Sequence, residues 1–309
     1  MASWSPNIRA DFAAVVLPGL LALGWLAPAF DPGSFLGRHV NLVQFSLVGF
    51  PHYFIALHLV GQLHSVHGWR GWVGPALIAL ALALAFGLGT VAIQRPLFGL
   101  LFFFSTWHTY RQHSGLLRYY ERQRPGGKRL WEAVVLLAHL APLAHFLGPA
   151  LSAQSGPPWM RWDFPALPAG TVTALVALTL VLLVIAWARG GHPPRHLVPW
   201  IGSTVVLNAF LPMAWLGPDQ FPRALAVYGT YHQLQYLTFT ALRARRMGEA
   251  FSLRLWGAAV GFSVCLAGAI AAAGAVWGYA LFFFFSFSHY WWDGQIWRRR
   301  NNPGLRVAV

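Results

Sequence analysis

The chain has 309 residues, of which 57% are hydrophobic and only 10% are charged. Soluble domains carry about 25% charged residues, so this composition argues against a soluble domain and indicates an all-α polytopic membrane protein. The single cysteine, Cys265, excludes a disulfide framework and a thiolate metal site. The net charge of +14 comes mainly from arginine. We interpret it as basic loops that set topology and contact membrane lipid, and we predict no nucleic-acid partner.

About ten apolar segments of membrane-spanning length follow one another along the chain, each bounded by turn residues or charges. The predicted spans are 12–29, 42–63, 73–93, 96–114, 130–150, 170–188, 198–216, 222–241, 255–273 and 275–297. Basic loops alternate with loops that carry Asp31, Asp163 or Asp219, and this number of spans places every basic loop on one side. Because cytoplasmic loops carry the excess of lysine and arginine, we predict a multi-pass protein of the inner (cytoplasmic) membrane with both termini cytoplasmic.

Short sequence matches recur in one order at nearly one offset. The pattern FFFSxxH occurs twice, and the segment at 49–52 is matched by the segment at 229–232. From His52 to His108 is 56 residues, and from His232 to His289 is 57 residues. We interpret these matches as a parallel internal duplication within a single integral membrane domain of residues 1–309. Its predicted parts are a first repeat at 1–114, linking helices at 115–196 and a second repeat at 197–309.

The duplication aligns four histidines at about one depth, on predicted spans that run in the same direction. They are His52, His108, His232 and His289. A lone membrane histidine often only forms a hydrogen bond between helices, but equivalent side chains around a pseudo-twofold axis can converge. Neutral imidazole is the commonest metal ligand and suits iron, zinc or copper. The pattern therefore predicts a metal or haem site.

A second tier of polar side chains lies closer to the predicted cytoplasmic side: His58, Gln112, His113 and Asp293. Asp293 follows His289 by four residues, so the two share a helix face. Its carboxylate either binds the metal or orients a histidine, and the alternative is an ion pair with Arg298 or Arg299 at the helix end. We predict catalytic roles for Asp293 and Gln112, and metal ligands at His52, His58, His108, His113, His232 and His289. His139 and His145 have no repeat partner and are interpreted as packing residues.

The placement of histidines on apolar helices near the predicted cytoplasmic side resembles the integral-membrane, histidine-rich non-haem di-iron desaturases and hydroxylases. The HxxHH boxes of that family are absent, and the nearest fragments are His64-x2-His67 and His108-x4-His113. No residue role is therefore carried over from the family. The resemblance implies dioxygen-dependent oxidation of a lipid, with electrons from a partner.

Several histidines together with a carboxylate, and without thiolates, favour a non-haem iron centre of one or two ions, while zinc, copper and haem stay open. The sequence thus predicts a membrane-embedded, metal-dependent oxidoreductase. It would hydroxylate, desaturate or cleave a hydrophobic or lipid substrate with dioxygen, with an electron donor as partner. Two alternatives are a b-type haem electron carrier with axial histidine pairs and a transporter with a histidine-lined midplane site.

Overall fold

A computed structural model of the chain describes residues 8–67, 70–121, 128–146, 168, 170–189, 197–210, 220–246 and 253–296. Every regular element among these residues is a helix, which confirms the predicted helical class. The α-helices are α1 (Ile8–Ala22), α2 (Phe35–Arg38), α3 (Val40–Gln44), α4 (Phe50–His67), α5 (Arg70–Leu88), α6 (Val91–Glu121), α7 (Lys128–Phe146), α8 (Thr171–Arg189), α9 (Leu197–Val205), α10 (Phe221–Arg246) and α11 (Leu253–Ile296). Two 3-10 turns, Leu23–Leu26 and Pro28–Phe30, follow α1. The π-helical segment Phe45–Gly49 joins α3 to α4, and a second one, Val206–Phe210, extends α9.

Within the described residues, three helical stretches are long and apolar enough to cross a membrane. They are Val40–Leu59, Thr171–Arg189 and Arg254–Gly274. Shorter apolar stretches are Phe12–Leu26, Val73–Leu88 and Leu197–Asn208. The predicted number of about ten spans is not confirmed. The three shorter stretches do not reach the length of a span, and in α6 polar side chains such as Arg111 and Gln112 interrupt the predicted span at 96–114.

Helix α11 contains a sharp break at Gly274, where the backbone has φ 79° and ψ 170°. Only glycine adopts this region of backbone space without strain, because a Cβ atom would clash with the neighbouring backbone. The break lies between the two predicted spans at 255–273 and 275–297. Gly278 then packs so closely on Ile270 that a Cβ at residue 278 would lie 2.8 Å from the Ile270 Cγ2 atom. The chain therefore turns at Gly274 and its two segments pack on each other.

The described residues within 42–101 and 236–296 form one compact unit, here called the first unit. In it, α11 packs against α4 and α5. The stacked rings of Phe86 and Phe283 lie 4.6 Å apart, and Gly87 leaves room for the ring of Trp277. An apolar cluster around the buried Phe50, Tyr53 and Leu266 joins α4 to both segments of α11. Burial of this cluster, worth roughly 1.5–3 kcal/mol for each large side chain, holds α4 against α11.

The described residues within 8–41 and 102–235 form the second unit, and α6 and α10 each contribute residues to both units. In it, α1 packs against α9, and α7 packs against α8 and α9. Both close approaches need glycine: Gly19 faces Thr204, and Gly202 faces the ring of Trp131. The units cut across the predicted repeats, and the single-domain organisation stays a prediction.

Arg223 fixes the beginning of α10 to the turns that follow α1. Its guanidinium forms an ion pair with Asp31 at 2.6 Å and donates to the backbone oxygens of Trp25 and Leu26. The indole N–H of Trp25 in turn donates to the Thr230 hydroxyl at 2.7 Å. The buried Arg223 thus has its donors satisfied, as a charge removed from water requires. These contacts set the position of α10 at its start, nine residues before His232.

Candidate metal centre

His52 and His289 form a buried pair in the first unit. Their Nε2 atoms lie 2.8 Å apart, and each side chain is only 1% exposed. His52 is the third residue of α4, and α4 directly follows the π-helical segment Phe45–Gly49. Such segments are frequent at functional sites, because the wider turn re-aims the side chains that follow it. His289 lies in the second segment of α11, after the break at Gly274.

Contacts on either side of the pair hold the two helices in register. The hydroxyl groups of Tyr53 and Ser286 are hydrogen-bonded at 2.9 Å, next to His52 on α4 and one turn before His289 on α11. The ring of Tyr236, from α10, lies 4.3 Å from that of His52 and 6.0 Å from that of His289. All of these side chains are buried. The two imidazoles are therefore enclosed by aromatic rings and protected from water.

Asp293 lies one helical turn after His289 and is 4% exposed. A carboxylate oxygen of Asp293 and a ring nitrogen of His289 lie within 4.8 Å of each other. Asp293 is one of only eight acidic residues in the chain. Because its carboxylate is buried, it needs a compensating cation or hydrogen-bond donors. Two imidazoles and one carboxylate are the ligand set of the facial triad that binds non-haem iron.

The second unit contains a histidine cluster of its own, formed by His108, His113, His139 and His232. The rings of His108, on α6, and His232, on α10, lie 5.1 Å apart at an interplanar angle of 85°. Both side chains are buried. Gln112 donates from Nε2 to the backbone oxygen of His232 at 3.2 Å and makes a longer contact of 3.5 Å with Gln235 Oε1. The amide of Gln112 therefore ties α6 to α10 beside the two rings.

His113 and His139 form the other half of this cluster. His113 Nδ1 lies 3.0 Å from His139 Nε2, and His139 Nδ1 lies 2.6 Å from the backbone oxygen of Val135. The ring of His113 also stacks on Tyr231, with centroids 5.0 Å apart. Both histidines are at most 1% exposed. His139, which the sequence suggested was a packing residue, is thus hydrogen-bonded to a predicted ligand; its lack of a repeat partner gave no signal of this role.

The predicted site residues therefore divide by unit and by burial. In the first unit His52 pairs with His289, and Asp293 lies near His289, whereas His108, Gln112, His113 and His232 lie together in the second unit. His58 is exposed on α4 and does not face the His52 pair. The side chains of His64, His67 and His145, and the segment that holds Arg298 and Arg299, lie outside the described residues. The alternative ion pair for Asp293 is therefore left as a prediction.

The separation within the His52–His289 pair constrains what it can bind. At a metal–nitrogen distance of about 2.0–2.1 Å, a nitrogen–metal–nitrogen angle of about 90° places the two imidazole nitrogens about 2.8–3.0 Å apart. A tetrahedral nitrogen–metal–nitrogen angle places them about 3.3–3.4 Å apart. Two axial ligands on opposite sides of a metal would be about 4 Å apart. The observed 2.8 Å matches two adjacent ligands of one ion. Without an ion, the same distance is a hydrogen bond in which one ring donates to the other.

Comparison with protein-family models, with curated proteins and with solved structures finds no match for this chain.

Proposed function

We propose that this chain is a membrane-embedded, histidine-ligated non-haem iron oxidoreductase that uses dioxygen to hydroxylate, desaturate or cleave a hydrophobic or lipid substrate. The observation that carries the proposal is the buried His52–His289 pair, with Nε2 atoms 2.8 Å apart and Asp293 one turn away. Two histidines and a carboxylate with further coordination positions open are typical of dioxygen-activating iron sites. In this proposal the three residues are the iron ligands.

A membrane location is supported by the apolar surface of the helices. Large apolar side chains are exposed along α5, α8 and α11, among them Ile78, Val184 and Val264 at 64–68% exposure. In water such a surface would be an aggregation hazard, whereas lipid tails solvate it. The proposal keeps the multi-pass arrangement in the inner membrane with both termini cytoplasmic, because the basic loops of the sequence alternate with acidic ones.

The histidine contacts within each unit support the proposed duplication. His52 of the first predicted repeat pairs with His289 of the second, and His232 of the second repeat pairs with His108 of the first. The duplication equates His52 with His232, and His108 with His289. Exchanging the repeats therefore converts one pair into the other, as a pseudo-twofold relation requires.

The duplicated sites differ at one chemically decisive position. Asp293 of the His289 helix corresponds to Gln112 of the His108 helix, four residues after the histidine in each case. A carboxylate can bind iron and compensate its charge, whereas the Gln112 amide nitrogen already donates to the His232 backbone oxygen. For this reason we place the iron at the His52–His289 pair.

Non-haem iron is favoured over b-type haem by the same geometry. A haem iron with two axial histidines separates their nitrogens by about 4 Å, and the porphyrin plane must fit between the rings. The 2.8 Å between His52 and His289 leaves no such space. A transporter would use midplane polar groups that water can reach, but these two side chains are each only 1% exposed.

When bound, the iron supplies dioxygen activation, and the residues of the chain supply the environment. His52, His289 and Asp293 would hold the ion. The rings of Tyr53 and Tyr236 exclude water, so that a hydrophobic substrate meets a dry site. The Tyr53 hydroxyl, held by Ser286, fixes the ring that covers His289.

The electron balance distinguishes the three candidate reactions. Cleavage of a substrate C=C bond places one oxygen atom of dioxygen on each carbon and needs no other reductant. Hydroxylation replaces C–H by C–OH and releases the second oxygen atom as water, with two electrons from the external donor and two protons from solvent. Desaturation removes two hydrogen atoms from the substrate and reduces dioxygen to two water molecules, again with two donor electrons and two protons.

The test is elemental analysis and an absorption spectrum of the full-length protein purified in detergent. The proposal predicts bound iron without the intense Soret band of haem. A Soret band would favour the electron carrier instead, and protein free of any transition metal would favour the transporter; either result overturns the proposal.

A further inference from the structure

A three-membered hydrogen-bonded chain runs from the backbone of α7 to the second histidine cluster. The Val135 backbone oxygen lies 2.6 Å from His139 Nδ1, and His139 Nε2 lies 3.0 Å from His113 Nδ1. Both imidazoles are buried, at 1% and 0% exposure. The proposed function uses neither contact.

These two hydrogen bonds determine which ring nitrogens of His139 and His113 carry a proton. A carbonyl oxygen can only accept, so His139 Nδ1 carries the proton and donates it to Val135. In a neutral ring His139 Nε2 then has the lone pair, and it accepts from the Nδ1–H of His113. His113 must consequently be unprotonated at Nε2. Among the described residues this fully buried nitrogen meets no partner at hydrogen-bonding geometry, although the Gln235 side chain lies close to the His113 ring.

We infer that His113 is a metal ligand through Nε2 in the second unit, and that His139 is the positioning residue that fixes the tautomer of His113. A metal-bound histidine typically donates its other N–H to an acceptor that fixes the ring and its tautomer. Here that acceptor is His139, which is itself anchored to a backbone oxygen. The cation is of the class that imidazole prefers, such as zinc or iron.

Other imidazoles lie near His113, although among the described residues its ring nitrogens do not form a three-ligand group within 4.8 Å, so a cation held by several imidazoles requires the rings to move closer on binding. The ring of His232 lies 6.3 Å from that of His113 and is nearly perpendicular to it, and His108 is close enough to interact with it electrostatically. Tyr231 stacks on the other side and prevents the His113 ring from turning. The Gln235 amide donates from Nε2 to the Tyr231 hydroxyl at 3.0 Å and so holds that ring in turn.

The inference rests on the proposed function only in assuming that the chain binds a metal, and its first test needs no metal. Full-length protein with ¹⁵N-labelled histidine rings is measured by NMR in detergent in the metal-free state, with His113 assigned through His113→Asn. We expect an unprotonated Nε2 and a protonated Nδ1. His139→Gln keeps an acceptor oxygen and should preserve this tautomer, whereas His139→Leu removes the acceptor and should give a mixture. A protonated Nε2 in the wild type overturns the inference.

The second test adds Zn²⁺ to the same samples and follows the His113 Nε2 resonance. Direct coordination should shift this resonance, and His139→Leu should weaken the binding about 10- to 100-fold while His139→Gln stays close to wild type. An Nε2 resonance that is unchanged at saturating Zn²⁺, or His139→Leu that binds as wild type does, contradicts the inference.

Failure of the proposed function gives a different result. If Zn²⁺ shifts His113 Nε2 but the purified protein lacks iron, the metal ligand is established and the iron oxidoreductase is not. If the protein holds iron at His289 while His113 Nε2 never responds to Zn²⁺, the oxidoreductase survives and this inference is wrong.

Discussion

Among the residues that the structure describes, burial separates the histidines into two groups. His52, His113 and His289 are at most 1% exposed, whereas His39 and His58 are exposed. His58 follows His52 by six residues, which is about 240° around an α-helix, so the two cannot share a face. Helical periodicity alone thus argues against His58 as a ligand of the same ion, although its position in the predicted second tier had suggested that role.

Replacing Asp293 tests the proposed carboxylate ligand. Asp293→Asn keeps the shape of the side chain but removes the charge that compensates the iron, so we expect iron affinity to fall by about tenfold or more. The measurement is chelator competition on purified protein. Glu132→Gln is the control, because Glu132 forms an ion pair with the half-exposed Arg118 and lies outside the proposed ligand set. Wild-type affinity in Asp293→Asn would exclude a role in holding the metal.

Iron retention should depend on pH because protons compete for the ligand lone pairs. Imidazole has an ordinary pKa of about 6.5, and only its neutral form binds a metal. Retention should therefore be complete at about pH 8 and fall as the pH drops below about 6.5. Dialysis against a chelator at a series of pH values measures this. Iron loss that increases toward high pH would have the wrong sign for histidine ligands.

The sequence was sufficient for part of the candidate site but not for all of it. His52, His289 and Asp293 were predicted because of the proposed repeat and because Asp293 follows His289 by four residues in the sequence. His139 was not, since its role depends on contact with His113, which lies 26 residues away on another helix. Tyr53 and Tyr236 were missed for the same reason: single aromatic residues in an apolar sequence carry no signal of what they cover.

At the scale of secondary structure, apolar runs predicted where helices lie but not where each of them ends. Helix α6 was predicted at 96–114 and extends over Val91–Glu121, because a helix continues beyond its apolar run where polar residues also favour it. The π-helical segments were not predicted, since one extra residue in a turn leaves no mark on the pattern of apolar residues. The break at Gly274 did coincide with the predicted separation of two spans.

Gly274→Ala tests whether the break in α11 is built into the fold. The backbone there lies in a region essentially restricted to glycine, so alanine should destabilise the protein by about 1–3 kcal/mol, measured by denaturant unfolding in detergent. The matched control is Gly261→Ala on the same helix. An added Cβ meets nothing within 4 Å at either position, so only the backbone conformation differs. We expect the control to be neutral or stabilising by up to about 1 kcal/mol. Equal stability of the two variants would contradict the break.

At the scale of the whole molecule, the arginine distribution predicts the orientation of the chain in the membrane. The basic loops and both termini should lie on the cytoplasmic side. A reporter that is active only in the cytoplasm, fused after Val309, should therefore be active, and the same reporter inserted beside Asp163 should be silent. Activity of the reporter beside Asp163 but not of the reporter after Val309 would mean that the orientation is reversed. Activity of both reporters would mean that an even number of spans separates the two positions, whereas the prediction places five spans there.

The most direct measurement is the iron content of purified His289→Ala. Because His289 is proposed as a ligand, this variant should lose its iron or retain far less than one equivalent. His39→Ala, the substitution of an exposed histidine, should match the wild type. A folded His289→Ala that carries the same iron as His39→Ala and the wild type would show that the buried pair is a packing contact and not a metal centre.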